Sequence, residues 1–425
     1  FEESYKLARQ RGGMRRVVIA RVKYRSLDEV NEATGALSVV TAPMPPEMFP
    51  RSIATPSLVA NICAEKHSRG LPLFRIEQGY EQDGASVDRG TMSRLVEHAG
   101  ATFGATIIEA ARRHAMETAF CIATDATGVW VQPIRDGSKK RKACKRAHYL
   151  VQIADRDHIF FEYLERETSA AIGELFKGFS GYVQADAKSV FDALFEPPED
   201  DDGDQRTEVG CLAHARRKFW QGTAAKSVVA REGLARIARI YQLEAVWRGK
   251  PPDDIKRLRD AHLRPHVEAL FAWVDVEYEK VRNERGLLSS ALGYAHRHKV
   301  ALMRFLEDGR LVPDNNRTER QARRVAIGRK AWLFTGSNDH AQSAGNIFTM
   351  VASARLHGLE PETYMRDVIR VLPFWPRDRY LELAPLFWKR TRARLDPAEL
   401  VLEVGPLTVP PLENSSDPSE QPPTS

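Results

Sequence analysis

The spacing of apolar and polar positions changes several times along the chain, and each change marks an element. From Pro56 the period is helical: Leu58, Ile62 and Cys63 share a face, and Leu71 to Tyr80 carries the pattern on. After a turn at Asp83-Gly84-Ala85-Ser86, Asp88 caps a further helix bearing Met92, Leu95 and Val96, and residues 97–118 extend the helical spacing. At Ala119 the period shortens. Phe120 to Thr124 predicts a strand that delivers Asp125 and is prolonged by Val129 to Gln132. Tyr149 to Ile153 and Ile159 to Tyr163 predict two more strands around the turn at Asp155-Arg156-Asp157, completing an antiparallel meander.

Thr168 to Phe176 then reads as helix, Gly181 to Ala185 as a strand ending in Asp186, and Ser189 to Phe195 as helix. Val209 to Ala213 reads as a last strand, followed by a helix through Arg216, Arg217, Lys218 and Phe219. The order β-β-β-α-β-α-β-α predicts an α/β fold of ribonuclease H-like arrangement, with one carboxylate on the first strand and another just after the fourth. Ala230 to Trp247, Ile255 to Val281 and Leu287 to Leu306 are all helical in pattern, an all-α insertion between the last core strand and the next helix. Asn346 to Leu356 and Pro361 to Leu372 are apolar helices, the second opened by a first-turn proline.

The patterns divide the chain into a basic arm and proline-rich linker (1–50), a helical region (51–118), a core (119–213 and 311–345), the helical insertion (214–310), a C-terminal helical segment (346–400) and a disordered tail (401–425). In the N-terminal helical region, two short helices, a glycine-containing turn and a third helix match a helix-turn-helix outline that could enter a major groove. A plain three-helix packing unit fits the same pattern.

Residues 314–337 hold the most informative stretch. Asp314 or Asn315 can cap a helix in which Glu319, Ala322 and Ala326 share one face and Arg317, Arg320 and Arg324 another. One helix thus offers a carboxylate on a small apolar strip and a row of guanidinium groups to an acidic partner. Arg329 and Lys330 continue the positive charge.

Composition narrows the classes. At 425 residues, two or three domains and an ample core are expected. The chain is 43% apolar and 28% charged, and no apolar run approaches the ~20 residues of a membrane span. No secretory signal opens it. Cys63, Cys121, Cys144 and Cys211 lie singly, without the paired spacing of a zinc site or a disulfide framework, which predicts a reducing, cytoplasmic setting.

With a net charge of only +6, the placement of the positive groups carries more information than their total. Residues 1–25 form a basic arm around a strand at Val17 to Val22, either solvated or touching DNA. Lys139, Lys140, Arg141, Lys142, Lys145 and Arg146 lie between the first two strands, where a hairpin could press on a phosphate backbone. Glu199, Asp200, Asp201, Asp202 and Asp204 resemble a metal cluster, but Pro197, Pro198 and Gly203 favour a solvated loop. Trp247 and Trp273 fit the packing of the helical insertion, or stacking on an unpaired base.

Asp125, Asp186 and Glu319 are separated by 186 − 125 = 61 and 319 − 186 = 133 residues, so only a fold unites them. Three hard carboxylates at one sheet edge repel unless a divalent cation lies between them. Magnesium suits such oxygen donors, with manganese as a substitute. Two ions about 4 Å apart could hold an attacking water or a DNA 3′-hydroxyl and steady the leaving oxygen at phosphorus. His214, with Arg217 and Lys218 on the following helix, and Asn315 are candidates to position the phosphate.

Thr124-Asp125-Ala126-Thr127, Gly181-Tyr182-Val183-Gln184-Ala185-Asp186, the run from Cys211 to Phe219 and above all the run from Asp314 to Ser337 resemble the signatures of transposases of the insertion sequence 66 family, which are DDE-type bacterial enzymes. Ser353-Ala354-Arg355-Leu356, Pro361 and Tyr364-Met365 through Leu372-Pro373 resemble the family's C-terminal segment, and the likeness spans roughly residues 20–390. It implies metal-dependent cleavage of double-stranded DNA at element ends and transfer of the freed 3′-hydroxyl into target DNA. Asp125, Asp186 and Glu319 carry over as the catalytic triad. Assembly as a homo-oligomer on paired ends, accessory proteins from the same element and a location at the bacterial nucleoid are further implications.

Two departures stand out. The family has a glutamate and a proline around its first aspartate where this chain has Ala126 and Gly128. Its N-terminal zinc-binding pattern Lys-Tyr-x-Cys is Lys23-Tyr24-Arg25-Ser26 here, so zinc is not expected. They motivate rival expectations of a catalytically silent DNA-binding descendant, or of a nuclease that cuts without joining.

Overall fold

The computed structural model describes residues 2–10, 13–30, 37–133, 142–197, 204–225 and 227–412. At the N-terminus β1 (Glu2–Gln10) pairs antiparallel with β2 (Gly13–Arg21), and β3 (Lys23–Val30) with β4 (Leu37–Thr41). This corrects the expected arm with a single strand at 17–22. From Arg16 to Arg21 the side chains alternate between exposed and half-buried, the period-2 signature of a strand, which the density of arginine hides. Lys6 anchors the hairpin through Glu47 (3.0 Å) and the carbonyl of Ser52 (2.7 Å).

Three helices follow, α1 (Pro56–His67), α2 (Leu73–Gln82) and α3 (Arg89–Phe103), and a π-helical turn at Gly104–Ile108 leads into α4 (Glu109–Thr118). Asp88 caps α3 as predicted, accepting from the N–H of Thr91 at 2.9 Å. Nearly every residue of α1 is buried, as expected of a helix apolar all round. The region shares one hydrophobic core with the sheet and the C-terminal helices, through Ile62, Met92, Phe103, Leu150, Phe160, Val368 and Trp388.

The sheet contains β5 (Cys121–Val131), β6 (Lys145–Ala154), β7 (His158–Leu164), β8 (Gly181–Gln184) and β9 (Arg206–Val209), in the order β7-β6-β5-β8-β9. The first three are antiparallel, β8 runs parallel to β5, and β9 parallel to β8. A short helix, α5 (Ser169–Glu174), lies between β7 and β8, and Ser189–Leu194 forms a 3-10 turn where an α-helix was expected. The last strand also needs correction. Val209 to Ala213 is not one strand: β9 ends at Val209 and α6 (Leu212–Gly222) begins at Leu212, whose N–H donates to the carbonyl of Pro313 (2.9 Å). The apolar run from Val209 crosses the boundary because both elements are buried there.

The next helices are α7 (Val228–Val246), α8 (Pro252–Leu258), α9 (Arg264–Val281), α10 (Leu287–Arg297) and α11 (Lys299–Met303). They pack around their own cluster, which includes Phe219, Ile237, Trp247, Phe271 and Leu292, with Trp273 at its edge. Buried Arg259 closes the block, pairing with Glu244 (2.7 Å) and donating to the carbonyls of Phe305, Asp308 and Leu311.

The chain ends through α12 (Asn316–Trp332), α13 (Asn338–Leu356), α14 (Pro361–Val371), α15 (Pro385–Ala393) and α16 (Pro397–Val401). Helix α13 covers the sheet: Phe348 packs on Tyr149 and Phe161. It also satisfies the outer strand β7, where Thr349 Oγ1 accepts from the N–H of Phe161 (2.9 Å) and Ser353 Oγ serves both backbone groups of Ile159.

Residues 401–412 correct the expected disordered tail in part. Residues 402–411 lie on the core because arginines hold their carbonyls: Arg370 takes those of Leu402, Gly405 and Pro406, Arg379 that of Pro410, and Arg394 that of Pro411. Residues 413–425, Lys140, Arg141 and most of the acidic run at 199–204 lie outside the described residues. Among the described residues no helix is long and apolar enough to cross a membrane, and all four cysteines are free.

Candidate functional site

Strand pairing sets the geometry of the first two acids. Parallel β5 and β8 pair Cys121 with Tyr182, Ile122 with Val183 and Ala123 with Gln184. Asp125 and Asp186 each lie two residues beyond the last pair, close enough for the charge of Asp186 to act on Asp125. Gln184 fixes this end of β8, its side-chain amide donating to the carbonyls of Gly210 (3.3 Å) and Val312 (2.8 Å). Pleat alternation directs Asp125 to the same face as Ala123 and Val129, the face that α12 covers.

Glu319 arrives from the first turn of α12. Asn315 caps that helix, yet its side chain makes no capping bond. It is buried instead, and its amide donates to the carbonyl of Thr124 at 2.6 Å, while its backbone N–H meets Cys211 Sγ at 3.2 Å. The helix bearing Glu319 is thereby tied to the residue just before Asp125 and to the start of α6. On α6, His214 and Arg217 are three residues apart and share a face. Arg217 Nη2 reaches Glu319 at 3.4 Å, and His214 Nε2 lies 3.7 Å from it.

Electrostatics links these groups. Burial, then the charge of Asp186, pushes the Asp125 carboxyl up to about 6; Lys188 and the N–H of Ala126 oppose the rise, and Glu319 adds to it. The His214 imidazole is pulled down by burial against the raising effect of Asp186 and Glu319. Two participants were missed in the sequence. Lys188 Nζ lies 3.4 Å from Asp186 and 3.6 Å from Glu167, and although burial lowers its pKa, Asp186, Glu167 and Asp125 together raise it above the ordinary lysine value. Glu167 is a fourth acid at the rim, 3.7 Å from His148. No local sequence signal marks either residue, since their roles come from the packing of α5 beside the 3-10 turn at Ser189–Leu194.

The remaining predicted contacts divide. Arg320 and Lys330 are exposed on α12, whereas Arg317 and Arg324 are half-buried, Arg324 donating to Gln321 (2.9 Å). Arg329 turns back to the carbonyl of Gly128. Lys218 lies over the Tyr294 ring at 5.1 Å, and Lys142 is exposed.

Asp125, Asp186 and Glu319 are hard oxygen donors of the kind a divalent cation takes. Among the described residues no three His, Cys, Asp or Glu side chains approach to metal-holding distance. Yet Asp186 Oδ1 is buried without a hydrogen-bond partner, Asp125 holds its proton unusually well, and an ammonium group lodges between Asp186 and Glu167. Each is the mark of hard oxygen donors short of positive charge.

Comparison with known proteins gives two family matches. A model described as the transposase IS66 family matches residues 51–343, and one described as the IS66 C-terminal element matches residues 349–386. Three proteins of Sinorhizobium fredii (strain NBRC 101917 / NGR234), each described only as uncharacterized, are similar to this chain. Protein y4qI is 27% identical over 365 residues, 84% of this chain and 66% of its own length. Protein y4hP is 25% identical, with 84% and 66% covered, and y4jD 26% identical, with 83% and 69% covered. The chain thus spans about two thirds of the length of these curated relatives.

Proposed function

The chain belongs to the IS66 family of transposases, and from that premise we propose that it is a DDE-type DNA transposase that cleaves element ends and joins the freed 3′-hydroxyl to target DNA. Two observations support the proposal: Asp125 and Asp186 each follow the Ala123–Gln184 register by two residues, and the cap of the helix bearing Glu319 is tied to Thr124, the residue before Asp125. The sheet order supports reading the core as ribonuclease H-like, with three antiparallel strands continued by two parallel ones and α6 to α11 as a helical insertion.

In this reading Asp125, Asp186 and Glu319 would hold two magnesium ions, for which manganese could substitute. Bound there, the ions would activate the attacking oxygen and steady the leaving one. Arg217 and His214 hold Glu319 in place before DNA arrives. Lys188 offsets the charge of Asp186, and Arg320 and Lys330 present a positive stripe to the DNA backbone. Family membership supports double-stranded DNA as the partner, and homo-oligomeric assembly on paired ends with accessory proteins extends the same reading.

Substituting Asp125→Asn, Asp186→Asn or Glu319→Gln is expected to abolish magnesium-dependent cleavage of element-end DNA while circular dichroism stays native. Native-like cleavage by any of the three removes that residue from the mechanism. The rival, a silent DNA-binding descendant, draws on the ion pair that engages Glu319 and the open spacing of the acids. It predicts salt-sensitive binding without product, and a nuclease that cuts without joining would leave free 3′-hydroxyl ends.

A further inference from the structure

At the far end of α12 the backbone takes a rare form. Leu333 has φ 61° and ψ −52°, and the N–H of Phe334 donates to the carbonyl of Trp332 at 2.7 Å. These are the marks of a γ-turn of the strained hand, in which a β-branched or bulky residue is seldom placed and which persists only where surrounding structure enforces it. The enforcement is visible: Thr335 forms a parallel bridge with Val131, its N–H donating to the carbonyl of Trp130 (2.8 Å) and its own carbonyl accepting from the N–H of Gln132 (2.8 Å).

The turn has a consequence for the side chains. Val131 is fully buried, so Trp130 and Phe334, one residue earlier on each side of the bridge, face away from the core. Trp130 is 49% exposed, Phe334 44% and Leu333 63%. Among the described residues neither aromatic ring stacks on another. A solvent-facing apolar group of this size, held by a strained turn, needs an occupant.

Its surroundings name the chemistry. Arg146 pairs with Trp130 across the strands and lies along Gly128, where a Cβ would stand 3.2 Å from its Nε. Arg329 donates to the Gly128 carbonyl from the other side, and Lys330 is exposed one turn before Leu333. Gly128, one of the departures from the family pattern, therefore makes room for an arginine beside an aromatic. Exposed aromatics interleaved with guanidinium groups are suited to a base stacked on the ring with its phosphate held alongside. We propose that Trp130, Phe334 and Leu333 form a platform for an unpaired base of the DNA end, with Arg146 holding the adjoining phosphate.

Trp130 lies five residues from Asp125 on one strand, about 17 Å at 3.3 Å per residue, and on the opposite face of the sheet. That offset suits a base drawn out of the duplex rather than one stacked within it. The inference rests on the proposed DNA-processing function, and its test is independent of cleavage.

The test uses the full chain in EDTA with a duplex bearing a single-stranded tail that contains 2-aminopurine, and with the same duplex blunt. The native chain is expected to quench the tail's fluorescence and to bind the tailed duplex roughly tenfold more tightly than the blunt one, as for one stacked base. Trp130→Ala and Phe334→Ala each remove the preference, Trp130→Phe retains most of it, and blunt binding is unchanged throughout. No preference in the native chain, or equal loss on both duplexes, overturns the proposal. So does loss of self-association in sedimentation with the preference intact, which would make the patch a protein interface. Failure of the transposase reading would appear separately, as absent magnesium-dependent cleavage by the native chain.

Discussion

The side-chain amide of Asn315 donates to the carbonyl of Thr124 at 2.6 Å, joining the cap of the helix that carries Glu319 to the strand that carries Asp125. The bond fixes the start of α12 against the residue just before Asp125. Asn315→Leu is expected to cost stability on the order of 1–3 kcal/mol, since the Thr124 carbonyl loses a buried partner. Cleavage should fall much further than stability, because a small shift of Glu319 spoils the geometry. Denaturant unfolding beside a single-turnover cleavage rate checks this, and a rate loss no larger than the stability loss would count against the positioning role.

Helices α3 and α13 approach closely enough to forbid a methyl group. A Cβ at Gly100 would stand 2.2 Å from the backbone oxygen of Ser343, and the Gly100 carbonyl accepts from Asn346 at 2.9 Å. Gly100→Ala is therefore expected to destabilise the fold by about 1–3 kcal/mol through overpacking, against the usual gain from replacing a helical glycine. Thermal unfolding of the variant, with Gly79→Ala as a control where nothing lies within 4 Å, measures the difference.

Acid should loosen the junction of α4, β7 and the end of α13. Burial pulls the His158 imidazole down to about 3, and neighbouring His114 and His357 add to the effect; His114 Nδ1 lies 3.1 Å from His158 Nε2. The unfolded chain thus takes up a proton near 6.5 that the folded chain refuses until about 3. Stability is full above 6.5 and falls as pH drops through that window. His67, likewise held down to about 3 by burial, adds to the same slope. Urea unfolding between pH 7 and 4 should show a shallower decline for His158→Phe than for the native chain, and an unchanged slope would show that this pair does not govern acid sensitivity.

The sequence patterns drew attention to the three acids because each follows a short apolar run or lies in the first turn of a capped helix, and such signals are local. What they concealed was set by tertiary contact. The strands at 2–10, 13–21, 23–30 and 37–41 hid among closely spaced arginines and lysines. The order of residues 402–411 depends on Arg370, Arg379 and Arg394 reaching back over ten or more residues to bare carbonyls. The boundary at 209–212 blurred because an apolar run serves a buried strand and a buried helix equally. Lys188 and Glu167 carry no motif at all, and come together only when α5 packs beside the 3-10 turn at Ser189–Leu194.

The last prediction concerns the charge imbalance at the acids. In the metal-free protein the Asp125 carboxyl is raised from 3.8 to about 6, first by burial and then by Asp186. A raised folded pKa means that the folded chain holds this proton more tightly than the unfolded chain, so the associated stability is full below 3.8 and is lost as pH rises through 6. The difference, 6 − 3.8 = 2.2, corresponds at ~1.4 kcal/mol per tenfold to an upper bound of about 3 kcal/mol. Asp125→Asn, which cannot ionise, should therefore unfold at a higher temperature than the native chain at pH 8 in EDTA and match it near pH 4. Magnesium should raise the melting temperature of the native chain at pH 8 and leave the variant nearly unmoved. Lys188→Met should act in the opposite direction, lowering the metal-free melting temperature, because it removes an ammonium group 3.4 Å from Asp186. If Asp125→Asn is no more stable than the native chain at pH 8 without metal, the acids are not in unrelieved repulsion and the case for cations between them loses its energetic basis.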